Sequence, residues 1–289
     1  FYSQICEVHL SSDVQLIVAA IEGLHSSYVK DYILPIGSVL VSGGLGAGVA
    51  YYTVNKQEYT KIELDKIKAV NKTLLSALTI RSSLIGIKSN YFGMITEEPI
   101  NRMLGVPPVL LKETRVDFDL PSLSFITEKE EKPFNKWSAL DFISTIISNF
   151  NTVIKVWEKR NQQIEALMPK LADTFGKPLN FEQVQGLLGV GNMALLSDLT
   201  ERCLHMTDDL LVEISCFLVG FSQSVKGKID SKILKKFGGL ITTSLPTYDT
   251  YPQAVDILTK VPSVNCNLLS KIQGRPVQEL QERYRAIYK

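Results

Sequence analysis

The chain has 289 residues, with 31 basic against 30 acidic side chains and only 21 % charged residues. This near-neutral balance argues against nucleic acid as the main partner, because nucleic-acid-binding proteins usually carry a strongly basic face. The mean hydropathy is slightly positive, at +0.08, which favours a membrane-associated protein or one with an extensive interface.

Residues 1–31 are predicted to form an N-terminal arm with one short helix, and an uncharged segment follows at residues 32–55. The centre of this segment, Ile33 to Tyr52, would measure roughly 30 Å as an α-helix, which is the thickness of a bilayer core. Tyrosines stand at both ends, where interfacial aromatic side chains are common. The pattern predicts a single transmembrane helix in contact with membrane lipid.

Small residues recur along this helix at a spacing of four positions. They form one stripe, with a GxxxG pair beside it, and small side chains in a membrane helix let a second helix approach closely. The sequence therefore predicts a helix-packing surface for a homo-oligomer or a protein partner, made of Ser38, Ser42, Gly44, Gly46, Gly48 and Ala50.

The uncharged segment has three other interpretations. A phosphate-binding glycine loop is disfavoured, because Val49 stands where the two known loop patterns require a small residue or a lysine. A buried core helix of a soluble protein stays open. So does a segment that is first soluble and inserts into membranes later, as in pore-forming proteins.

Basic residues are distributed unevenly around the uncharged segment. Five lysines occur in residues 56–72, whereas only Lys30 precedes the segment. The positive-inside bias therefore predicts a single-pass protein whose C-terminal body is cytoplasmic. Cys203 and Cys216 lie in apolar helical stretches and are predicted to be packed, reduced thiols, which agrees with that compartment.

Residues 56–90 are predicted to form an amphipathic helical stem. Apolar residues follow one another at alternating spacings of three and four, as at Leu64, Ile67, Val70 and Leu74. Such a stem could form a short coiled coil that oligomerises, or it could pack on its own domain. The pattern leaves both possibilities open.

Residues 91–133 are rich in proline and interrupt the helical pattern. Polar and apolar residues alternate at 115–120, which predicts a strand, with a facing strand at 109–112 or 123–126. Residues 127–133 form a charged run that is typical of a linker.

Residues 134–289 are predicted to form a helical domain. The expected elements include a helix from Trp137 to Arg160, a helix capped by Asn180 and a long helix at 192–224 with a buried second half. Residues 230–240 are predicted to form a basic amphipathic helix. The fold class is therefore mainly α, with a small β element near residues 109–126.

One helix carries the only cluster that suggests chemistry. Weak candidates for metal ligands are Glu201, His205, Asp208 and Asp209. A single helix seldom supplies more than two ligands, and the second Glu-x-x-His of a di-metal bundle is absent. A solvated acidic face is the favoured interpretation. No hydrolase, kinase or nucleotide-binding motif occurs, so no catalytic residue and no cofactor are predicted.

The sequence thus favours a membrane-anchored, non-catalytic helical protein that oligomerises or docks a protein partner. An α-helical pore-forming protein, whose glycine-rich segment inserts into membranes, is the alternative. A metal-dependent, membrane-tethered enzyme is the third hypothesis.

Overall fold

A computed structural model describes residues 14–22, 32–111, 116, 118–127, 135–174 and 176–287. These residues are mainly helical and contain no β-strand. In chain order the α-helices are α1 (14–22), α2 (Leu34–Ser89), α3 (Pro99–Gly105), α4 (Leu140–Leu171), α5 (Phe181–Leu188), α6 (Val190–Lys226), α7 (Ser231–Phe237), α8 (Pro252–Asp256), α9 (Cys266–Gln273) and α10 (Val277–Arg283). Short 3₁₀ helices occur at Pro121–Ile126, Lys136–Ser138 and Ala172–Thr174.

The chain divides into two compact units, Phe1–Ile62 and Glu63–Lys289. In the first unit, α1 and the apolar part of α2 leave nearly all of their described side chains exposed. The large apolar residues of this unit are therefore not buried by the described part of the chain.

The core of the second unit contains residues of α2, α4 and α6. Val70, Leu74 and Leu84 of α2 are completely buried in one hydrophobic cluster with residues of the other two helices. The stem residues of α2 therefore pack on their own domain, and their apolar stripe is buried in its core. The predicted burial of the second half of α6 is confirmed, for example at Leu211 and Phe217.

A smaller hydrophobic cluster joins the C-terminal half of α4, α5 and the start of α6. The predicted cap of α5 is confirmed, because the Asn180 side chain accepts a hydrogen bond from the backbone N–H of Gln183, and the Gln183 side chain accepts one from the backbone N–H of Asn180. Gly189 then separates α5 from α6 with a φ of +77°, a conformation that glycine adopts without strain.

The predicted small β element is wrong for the residues that the structure describes. Residues 121–126 form a 3₁₀ helix, and the amide side chain of Asn161 binds both the N–H and the C=O of Val109, at 3.1 and 2.7 Å. This side chain satisfies the backbone groups that a strand would have paired. The alternation has another cause, since Phe118 is buried in the helical core and Val116 and Leu120 are partly buried against it.

Two further predictions need correction. Helix α4 begins at Leu140 and continues past Arg160 to Leu171, because Arg160 lies on its buried face instead of ending it. The thiol of Cys216 is exposed, whereas Cys203 is buried as predicted. The two cysteines are 13 positions apart on one helix and do not share a face.

Candidate functional site

Helix α2 is the one helix among the described residues that could span a membrane by length and composition. Its most apolar window of 18 residues has a mean hydropathy of 1.4, and none of that window is buried inside the protein. Val39 and Leu40, for example, are 68 % and 71 % exposed. Core helices of soluble proteins can be equally apolar, but a core helix is covered by its own chain. Signal sequences also share this composition, with a shorter apolar region.

All of the predicted helix-packing residues lie in this exposed part of α2. A methyl group placed on Gly44, Gly46 or Gly48 would have no neighbour within 4 Å. The hydroxyl of Ser38 donates to the carbonyl of Pro35 at 2.8 Å, and that of Ser42 donates to the carbonyl of Val39 at 3.1 Å. The serine hydroxyls are therefore satisfied within the helix, as an apolar environment requires.

The acidic cluster of α6 differs from the solvated face that the sequence favoured. Glu201 and Asp208 are only 1 % and 4 % exposed, and each is paired with a buried basic side chain. These two positions are seven residues apart, so they lie on the same face of the helix, two turns from each other. The interpretation as a solvated face is therefore wrong at both positions.

Glu201 forms a two-pronged ion pair with Arg102 of α3. Arg102 Nε donates to Glu201 Oε1 at 2.7 Å, and its Nη2 donates to Oε2 at 2.8 Å. The remaining terminal nitrogen donates to the carbonyls of Thr96 and Pro262, at 3.0 and 2.8 Å. Burial raises the pKa of Glu201, and the hydrogen bonds from Arg102 oppose that rise. Arg102 therefore links α6, α3 and the segment before α9.

Asp208 forms the second buried ion pair, with Lys88 in the last turn of α2. Their contact measures 2.6 Å, and Lys88 also donates to the carbonyl of Thr259. The other oxygen of Asp208 accepts the N–H of Val261 at 2.7 Å. Burial raises the pKa of Asp208, and Lys88 opposes this shift. This pair thus fastens the end of α2 and residues 259–261 to α6.

His205 lies between these pairs and packs on the ring of Tyr284, with ring centres 5.9 Å apart. Burial, followed by the charges of Arg102 and Lys260, lowers the pKa of His205 to about 4. His205 is therefore neutral at pH 7. Its Nε2 atom lies 3.7 Å from Glu201 Oε2, which is too long for a hydrogen bond.

The metal candidates are therefore already engaged in contacts within the fold. Both oxygens of Glu201 bind Arg102, and Asp209 lies 3.8 Å from the ammonium of Lys260 and accepts the N–H of Ile287. In the part of the chain that the structure describes, no three His, Cys, Asp or Glu side chains form a group that could hold a metal ion. The nearby cations would also repel a metal. These residues do not fit a metal centre.

A cleft of about 550 Å³ opens beside His205, and its wall contains both basic and acidic side chains. The residues that line it are Arg202, His205, Met206, Asp209, Glu282, Arg283, Tyr284, Arg285 and Ile287. Arg283 is held there by Asp198, which also accepts a 2.6 Å hydrogen bond from the hydroxyl of Tyr284. Among its lining residues, no serine, threonine or cysteine could act as a nucleophile beside the histidine.

The buried basic partners were missed by the sequence analysis, although a signal for them exists. Lys88 follows Leu84 by four positions on the buried stripe of α2, and Arg160 follows Trp157 by three on that of α4. A basic residue on such a stripe needs a buried acceptor. Arg160 donates hydrogen bonds to the carbonyls of Pro107, at 2.9 Å, and of Val106.

Comparison with protein-family models, with curated proteins and with solved structures finds no match for this chain.

Proposed function

We propose that this protein is a membrane-anchored, non-catalytic helical protein that oligomerises or docks a protein partner at the membrane. One observation carries the proposal: the apolar window of α2 is unburied, whereas the part of α2 after Glu63 lines a core. Soluble monomeric proteins rarely expose such a long apolar segment to water, because its exposure is energetically unfavourable.

The size of this exposed surface supports a membrane environment. Nine large aliphatic side chains between residues 33 and 54 are exposed: Ile33, Leu34, Ile36, Val39, Leu40, Val41, Leu45, Val49 and Val54. At about 1.5 kcal/mol each, transferring them out of water is worth about 14 kcal/mol. That value is comparable to the whole folding stability of an ordinary domain, so an apolar environment is strongly favoured.

The small-residue stripe supports packing against another helix in the membrane. Gly46→Leu would hold two helices apart, whereas Leu40→Ile changes only the shape of one apolar side chain. Crosslinking of the full chain in mild detergent should yield fewer oligomers, or less partner, for Gly46→Leu than for Leu40→Ile. Equal yields for the two variants would argue against the stripe.

The orientation that we propose places the C-terminal body in the cytoplasm, as the lysine distribution indicates. The exposed thiol of Cys216 provides a native reporter. A membrane-impermeant thiol reagent should label Cys216 only after cell lysis, with Cys216→Ser as the background control. Labelling of Cys216 in intact cells would reverse the orientation.

The anchoring itself is tested by a carbonate wash of membranes that contain the full chain. Wild type should stay in the pellet. Val41→Arg should shift toward the supernatant, because a charge at the centre of a span costs about 2.5–3.5 kcal/mol. Leu75→Arg is the matched control, since Leu75 is 54 % exposed on the same helix but lies outside the apolar segment. Wild type that is released by carbonate and monodisperse without detergent would contradict the anchor.

That result would favour the alternative function, an α-helical pore-forming protein. Its specific support is the five glycines at 37, 43, 44, 46 and 48, since each weakens a water-exposed helix by about 1 kcal/mol and eases a rearrangement. A pore-forming protein should purify without detergent and then release a dye trapped in lipid vesicles. Val41→Arg should abolish that release.

A further inference from the structure

The region around α7 is strongly basic in a chain whose net charge is only +1. Residues 226–237 contain five lysines and a single acidic residue, Asp230. The carboxylate of Asp230 caps α7, where it accepts the N–H of Lys232 at 2.7 Å. Lysines therefore outnumber acidic side chains five to one along this stretch.

Four of these lysines face solvent together with one aromatic ring. Lys226, Lys232, Lys235, Lys236 and Phe237 are exposed, and we call them the lysine surface. The Lys236 ammonium lies 5.0 Å from the centre of the Phe237 ring. The opposite side of α7, through Ile233 and Leu234, packs on the core of the second unit. This surface therefore combines several positive charges with an aromatic ring on a fixed support.

Both flanks of α7 are fastened to the early stem residues of α2. The N–H of Asp230 donates to Glu63 Oε2 at 2.8 Å, and the N–H of Ile241 donates to Asn71 Oδ1 at 2.9 Å. Glu63 follows Asn55, the last residue of the uncharged segment 32–55, by eight positions. Eight residues can extend over at most about 29 Å, so chain length alone keeps Glu63 close to the end of the predicted span.

We propose that the lysine surface binds anionic lipid headgroups of the membrane that holds residues 32–55. The inference rests on the proposed anchoring. A lysine near an anionic leaflet strengthens binding on the order of fivefold, and an exposed aromatic ring is well suited to the headgroup region. An acidic protein could also attract lysines, but the short tether to an apolar segment and the ring of Phe237 favour a lipid surface.

The test places a photoreactive phenylalanine, benzoylphenylalanine, at position 237 of the full chain. The protein is reconstituted into vesicles of phosphatidylcholine, with or without phosphatidylserine, and lipid adducts are measured by mass spectrometry after illumination. We expect several-fold more adducts with phosphatidylserine present. K232Q/K235Q/K236Q should weaken the contact on the order of a hundredfold and reduce adducts to the level seen in phosphatidylcholine alone.

A matched control removes the same charge elsewhere. K155Q/K159Q/K170Q neutralises three exposed lysines of α4 and should leave the adduct yield unchanged. The proposal is overturned if adducts do not depend on phosphatidylserine, or if both triple variants behave alike in protein that resists carbonate. Failure of the anchoring is distinguishable, since wild type would then be released by carbonate before any crosslinking is measured.

Discussion

Arg102→Met tests whether the buried ion pairs hold the second unit together. Methionine is a similarly long side chain without the N–H donors, so Glu201 would stay buried without a partner at 1 % exposure. Breaking a buried pair in this way costs about 3–5 kcal/mol. We therefore expect the free energy of unfolding to fall by this amount. The carbonyls of Thr96 and Pro262 also lose their hydrogen-bond donor, which adds to the loss.

The measurement is a urea titration of the full chain in mild detergent, followed by circular dichroism. Arg275→Met is the matched control, since Arg275 pairs with Glu279 at the surface, where the two side chains are 45 % and 47 % exposed. That pair should contribute at most about 0.5 kcal/mol. Adding Glu201→Met to Arg102→Met should recover much of the loss, because no unpaired charge is then buried. Equal losses for Arg102→Met and Arg275→Met would refute the reasoning.

The pH dependence of Arg102→Met identifies the group responsible. With Arg102 gone, burial alone acts on Glu201 and raises its pKa further above the ordinary value of 4.5. A carboxyl with a raised pKa in the folded state destabilises the fold as pH rises above 4.5. The stability difference between wild type and variant should therefore be larger at pH 7 than at pH 5. A constant difference would assign the loss to packing instead.

Three further variants test particular contacts by the same titration. Gly220→Ala should lower the free energy of unfolding by about 1–3 kcal/mol, because its new methyl group would lie 2.3 Å from the indole of Trp137. Gly86→Ala, whose methyl group would have no neighbour within 4 Å, should instead raise it by about 0.5–1 kcal/mol. His205→Phe keeps a ring against Tyr284 but cannot titrate. Because the pKa of His205 is lowered from 6.5 to about 4, wild type should lose about 2 kcal/mol relative to this variant between pH 7 and pH 4.5, and parallel pH dependences would contradict the assignment.

Helices and their caps could be predicted because their signals are local. The three-and-four spacing of Val70 and Leu74 requires only neighbouring residues, and so does the capping box at Asn180. The prediction of a strand near residues 115–120 was wrong for a related reason. Alternation reports that every second side chain is buried, as at Phe118, but it does not report whether another backbone pairs with the segment.

The ion pairs could not be predicted, because their partners are distant in sequence. Lys88 and Asp208 are separated by 120 positions, and Arg102 and Glu201 by 99. The acidic residues looked like part of a polar face, yet they occupy the same helical face as the buried Leu204 and Leu211. The sequence analysis favoured a solvated face because only the tertiary structure identifies the basic residue that pairs with each buried carboxylate.

The two parts of α2 differ in one sequence property, the presence of a polar face. After Glu63, apolar residues form one stripe, and polar residues such as Lys68 and Lys72 remain exposed, so one face suffices for packing. Between Ile33 and Tyr52 the helix is uncharged on all sides. A helix without a polar face needs an apolar environment around its whole circumference. Under the proposed function, a neighbouring helix on the small-residue stripe would cover part of that circumference, and lipid would cover the rest.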